Sequence, residues 1–135
     1  MNSDPVFDRE ALRAWLEPLD ALPLECDGMS RVVSALLTRD SICHLVCTGR
    51  LEIDGVGVIP RHWWIELGDG VICDWRARMW LGEGASVPHG FFEPRDGVRY
   101  VALDRFVLEY SPLVFEVLAG RPLEEYAAAP EPLAQ

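Results

Sequence analysis

Cys26, His62 and Asp74, in that order along the chain, are the residues whose types and spacing suit covalent chemistry. A thiolate can attack a carbonyl carbon, an imidazole can take the thiol proton and return it to the leaving group, and a carboxylate can hold the imidazole in one tautomer. Of the four cysteines, Cys26, Cys43, Cys47 and Cys73, only Cys26 stands at the start of a helical pattern. There, unpaired backbone N–H groups and the positive end of the helix dipole favour a thiolate and can also bind an oxyanion. The run Cys43-His44-x-x-Cys47 has zinc-ligand residue types but lies in the apolar segment 42–46, where strand alternation sends neighbours to opposite faces. It reads as buried structure, His44 reads as core, and neither a metal nor a cofactor is expected. With no secretion signal, the cysteines read as free thiols.

Whether His62 and Asp74 can meet is a question of hairpin register, because a one-residue slip turns a strand side chain to the other face. The segments 61–67 and 71–76 read as strands around Gly68-Asp69-Gly70. If all three residues form the loop, Leu67 pairs with Val71, Trp64 faces Asp74, and His62 and Asp74 become diagonal neighbours on one face, with Cβ atoms about 7 to 8 Å apart. A two-residue turn would separate them. The three-residue loop needs a left-handed residue, and Gly70 supplies it. Glu66 shares the His62 face in this register and is the rival orienting carboxylate.

The stretch His62-Trp63-Trp64-Ile65-Glu66-Leu67 followed by Asp69-Gly70-Val71-Ile72-Cys73-Asp74 resembles the "H-x-W-x-E … D" hairpin of the transglutaminase-like, papain-related cysteine enzymes. A Cys at a helix start ahead of this hairpin is similar to the order in that core. The resemblance covers about residues 23–76. It implies an α+β fold with N-terminal helices packed on an antiparallel sheet, and Cys26, His62 and Asp74 as a catalytic triad. It also implies thiol acyl chemistry of a peptidase, amidase, deamidase or acyltransferase kind, with no metal or cofactor. Trp64, Glu66 and His89 are then the expected substrate-binding residues, His89 from a loop at the mouth of the site.

The elements that must position these groups are legible in the hydrophobic pattern. Residues 8–16 place Ala11, Leu12, Trp15 and Leu16 on one helix face until Pro18. Met29, Val32, Val33, Leu36 and Leu37 repeat that spacing over 28–38, so a second, largely buried helix is expected to begin just past Cys26, with Asp27 or Cys26 near its N-cap. Residues 41–53 read as a strand and 54–60 as a loop. The glycine- and proline-rich stretch 77–96 is expected to be a covering loop with one turn of helix, 99–103 a further strand, and Ser111-Pro112 the start of a helix ending at Gly120. The whole is expected to be one domain over 1–126 with a disordered tail over 127–135. Trp63, Trp64, Trp75, Trp80, Phe91 and Phe92 crowd around the hairpin, most as core and one or two as an aromatic wall for substrate.

The formal net charge is −10, and all twelve basic residues are arginine. Such a surface repels phosphate, which excludes sequence-independent nucleic-acid binding. No apolar run approaches a membrane span, and the N-terminus lacks a signal-peptide pattern, so the expectation is a cytoplasmic protein that does not bind membranes. The partners that fit are a peptide, a protein side chain, a small acyl or amide substrate, or a basic protein. Glu25 and Asp27 flank Cys26, and negative charge opposes a thiolate. They support the alternative reading of a non-catalytic acidic binding protein of the immunity or adaptor type on the same fold.

Overall fold

The computed structural model describes residues 5–133. The chain is α+β: helices pack on one five-stranded, wholly antiparallel sheet of order β4-β3-β2-β1-β5. Helix α1 (Arg9–Leu16) runs into a 3-10 segment (Glu17–Ala21), and α2 is Cys26–Arg39. The strands are β1 (His44–Ile53), β2 (Gly57–Leu67), β3 (Ile72–Asp74), β4 (Gly90–Phe92) and β5 (Val98–Phe106), with α3 (Ala77–Leu81) between β3 and β4 and α4 (Pro112–Ala119) after β5.

The main core forms where α2 lies on the sheet. Met29, Val32, Val33, Leu36 and Leu37 meet Val46, Ile65, Leu67 and Cys73, with Leu12 and Leu16 of α1 and Phe115 of α4 closing the layer. Burying each large aliphatic side chain contributes about 1.5 to 3 kcal/mol, so the spacing that makes α2 amphipathic also fixes its height and rotation on the sheet. That is what delivers Cys26, the first helical residue, to a set place beside β2 and β3, near Trp63, Ile65 and Cys73.

Strand β2 begins at Gly57, ahead of the expected 61, and passes through Pro60. The reason is local: the β1 register slips between Gly49 opposite His62 and Leu51 opposite Ile59, leaving Pro60 and Arg61 in a bulge. A residue without an N–H can sit there without breaking the ladder. The stretch 77–96, expected to be a loop, also supplies β4, which pairs with β3. Residues 127–133, expected to be a free tail, are tied to the body. Ala129 N–H donates to Asp40 Oδ2 (2.9 Å), Leu133 N–H to Val6 O (2.7 Å), and the Ala127 carbonyl accepts from Trp15 Nε1 (2.9 Å). Low complexity did not register these long-range backbone partners, and residues 134–135 lie outside the described part.

Candidate active site

The β2–β3 hairpin has the three-residue loop. Ile65 pairs with Cys73 and Glu66 with Ile72, the Leu67 N–H donates to Val71 O (2.9 Å), and Gly70 takes φ +86°. Asp69 Oδ1 accepts from the Val71 N–H at 3.1 Å and stiffens the turn. In this register His62 Nε2 lies 2.7 Å from Asp74 Oδ2, and both side chains are almost wholly buried.

Asp74 is held from three sides. Its Oδ2 also accepts from the Tyr100 hydroxyl (2.8 Å) and its Oδ1 from the Arg76 N–H (2.9 Å). A carboxylate so satisfied is fixed in direction. It outweighs the burial that would otherwise drive His62 neutral: burial pushes the imidazole down, while the charge and hydrogen bond of Asp74, joined by those of Cys26, raise it to about 9. Because Nε2–H donates to Asp74, only Nδ1 remains to address Cys26. Nδ1 is buried and has no hydrogen-bond partner among the described residues. The Cys26 sulfur is thus near enough to act on His62 as charge and acceptor, yet outside the geometry of a formed hydrogen bond.

Cys26 is half-buried at the first position of α2. The N-cap, Glu25, is extended and its side chain makes no capping bond, and among the described residues no side chain takes the N–H groups of the first turn. Those groups can receive an oxyanion formed on a carbonyl attacked by Cys26. Gly28 lies in the first turn, beside Leu24 of the segment that precedes the helix.

The strand opposite His62 explains its aim. Gly49 is the residue paired with His62, and β1 slips register on both of its sides there, against β2 and against β5. A Cβ on Gly49 would sit 2.0 Å from the Val101 carbonyl oxygen, so this close approach requires glycine. Neither Gly49 nor Tyr100 was marked by sequence reasoning. Gly49 carried a faint signal, a lone glycine in a strand pattern. Tyr100, 26 residues past Asp74, carried none.

Two of the three expected substrate-binding residues lie elsewhere. Trp64 is fully buried, with its ring centroid 6.2 Å from His62 and 5.0 Å from Tyr100, so it backs the imidazole and has no face for substrate. Strand alternation put it on the His62 face, and the packed side of that face is covered by Ile72, Phe92 and Tyr100. Glu66 meets the Arg105 guanidinium at 3.2 Å, and the carboxylate at His62 is Asp74. His89 does reach open space. It sits 2.9 Å from Asp20 Oδ2 and lines a groove of about 600 Å³ together with Glu25, Trp75 and Met79. His44 has both ring nitrogens engaged: Nδ1–H donates to Ile42 O (2.8 Å), leaving Nε2 to accept from the Ser34 hydroxyl (2.7 Å).

Protein-family models, curated proteins and solved structures contain no match to this chain.

Proposed function

We propose that the protein performs thiol-dependent acyl chemistry on an amide or thioester, with Cys26 as nucleophile, His62 as proton carrier and Asp74 as its orienting carboxylate. The observation that carries this reading is the 2.7 Å contact of His62 Nε2 with a fully held Asp74. It leaves the unpartnered Nδ1 for the cysteine at an uncapped helix start. The resemblance to the transglutaminase-like core leads to the same reading from the hairpin motif.

In the first step Cys26, its thiol proton held on His62 Nδ1, bonds through its thiolate sulfur to the carbonyl carbon, and the carbonyl π pair moves onto oxygen beside the N–H groups of the first α2 turn. The pair returns as the bond to the leaving amine or thiol breaks, and His62 Nδ1–H supplies its proton. In the second step Nδ1 takes a proton from water or an amine as it attacks the thioester, and the Cys26 thiolate departs. Hydrolysis follows with water, transfer with an amine. The groove beside Glu25 and His89 is the approach for substrate.

Acylation by p-nitrophenyl acetate followed by peptide mapping tests this directly. The expected result is an acetyl group on Cys26 that is absent from Cys26→Ser and scarce in His62→Ala. Acetylation of the exposed Cys43 at the same rate as Cys26 would contradict it. That outcome would favour the binding-protein reading, to which the exposed acids Glu25 and Asp27 lend support.

A further inference from the structure

Arg76 is a buried arginine just beyond β3, with its side chain only 8% exposed. Its backbone N–H orients Asp74, while its guanidinium reaches to the segment ahead of α2. Nε donates to the Leu24 carbonyl, and Nη2 donates to the carbonyls of Asp20 (3.0 Å) and Leu22 (2.8 Å). Nη1 donates to Asp20 Oδ1 (2.6 Å) and to Trp75 O (2.8 Å). A guanidinium has five N–H donors, and here all five are taken.

The segment held in this way runs from Asp20, in the last turn of the 3-10 segment, to Leu24, and its residues 22–25 bridge that segment and the helix starting at Cys26. These residues belong to neither a strand nor a helix, and they are the last stretch of chain before the thiol. We infer that Arg76 is a positioning residue that sets the separation of Cys26 from His62, fastening the entry to α2 onto the same residue that orients Asp74. This rests on the reading of Cys26, His62 and Asp74 as a catalytic set.

Residue chemistry supports the assignment. The acceptors are four carbonyls, three of them at the alternate positions 20, 22 and 24 and the fourth on Trp75, and one carboxylate, which a planar five-donor fork can satisfy together. A lysine has three donors on one point and leaves at least two of these acceptors unmet. Asp20 compensates the buried charge and makes the pair an anchor. The same Asp20 carries His89 on its other oxygen, so the anchor also shapes one wall of the groove.

The test is the pH profile of Cys26 alkylation by iodoacetamide, read by peptide mapping against Cys43 in the same molecule. It is run at a temperature where circular dichroism shows each variant folded. Arg76→Lys should lower the Cys26 rate at neutral pH about tenfold or more relative to Cys43, since small misplacements of reacting groups cost rate steeply. The profile should change towards that of an unassisted thiol. Asp20→Asn, which keeps the acceptor and loses the charge, should do the same to a lesser degree. In a His62→Ala background, Arg76→Lys should have no further effect. A folded Arg76→Lys with a lowered Tm but an unchanged Cys26 profile would overturn the inference and leave Arg76 as a staple. An equal effect with and without His62 would do the same. If Arg76→Lys does not fold, the Asp20→Asn comparison decides. Failure of the underlying reading shows separately, as a wild-type profile that His62→Ala alone does not alter.

Discussion

His62 Nε2 and Asp74 Oδ2 lie 2.7 Å apart on a diagonal of the β2–β3 ladder, twelve residues apart in sequence and joined by a three-residue turn. The contact exists because Gly68, Asp69 and Gly70 make the loop odd in length, which turns both side chains to one face. The carboxylate then decides the charge of a buried imidazole, holding it protonated through neutral pH.

This pairing makes stability depend on pH. His62 titrates at about 9 in the folded chain against about 6.5 when unfolded. The stabilisation from its protonation is therefore fully present below about pH 6.5 and is lost as pH rises through 9. The difference corresponds to roughly 3 kcal/mol. Urea unfolding from pH 6 to 9.5 should show this decline, and Asp74→Asn should remove most of it. An equal slope in both proteins would place the titration elsewhere.

Asp74→Asn should also keep the fold while lowering acyl transfer sharply. Its amide offers one acceptor where the aspartate receives three donors, so either the Arg76 N–H or the His62 and Tyr100 donors face an NH₂ group. The wrong imidazole tautomer is then favoured. Acetylation of Cys26 by p-nitrophenyl acetate should fall by about a hundredfold or more, while far-ultraviolet circular dichroism stays the same.

Tyr100→Phe keeps the ring against Trp64 and Phe92 and deletes only the hydroxyl that donates to Asp74. Denaturant unfolding should show a loss of about 1.5 to 3 kcal/mol, the range for a hydrogen bond to a charged group. A change indistinguishable from zero would mean that the hydroxyl contributes nothing to holding Asp74.

Gly49→Ala should be far more damaging than its single methyl suggests, because the new Cβ meets the Val101 carbonyl oxygen at 2.0 Å. Parting β1 from β5 there disturbs the bulge opposite His62. A loss of about 3 kcal/mol or more, or failure to fold, is expected in thermal unfolding. A variant with an unchanged Tm would contradict the close approach.

What could be read from the chain alone was local and periodic. The three-and-four spacing from Met29 to Leu37 placed α2 and hence Cys26, and the residue count of one turn placed His62 beside Asp74. What escaped was non-local. Tyr100 reaches Asp74 only because β5 joins the sheet beside β1, and three of the five Arg76 side-chain bonds go to carbonyls more than fifty residues earlier. Trp64, expected at the substrate, is buried beside Tyr100 and Phe92, because a hairpin motif fixes a residue's face but not what covers it. Pro60 was read as ending a loop, since a bulge that tolerates it is set by the partner strand.

The central claim is that His62 and Cys26 act as a pair, and the most direct test is the rate at which iodoacetamide labels each cysteine at neutral pH. Burial pushes the Cys47 thiol up to about 12 and raises Cys73 well above the ordinary range, so both should react slowly. Cys43 is exposed and serves as the unassisted reference. Cys26, although only half-exposed, should react about tenfold faster than Cys43, as an imidazole-assisted thiol does. That excess should vanish in His62→Ala and shrink in Asp74→Asn. A Cys26 rate at or below that of Cys43, unchanged by removal of the histidine, would contradict the account.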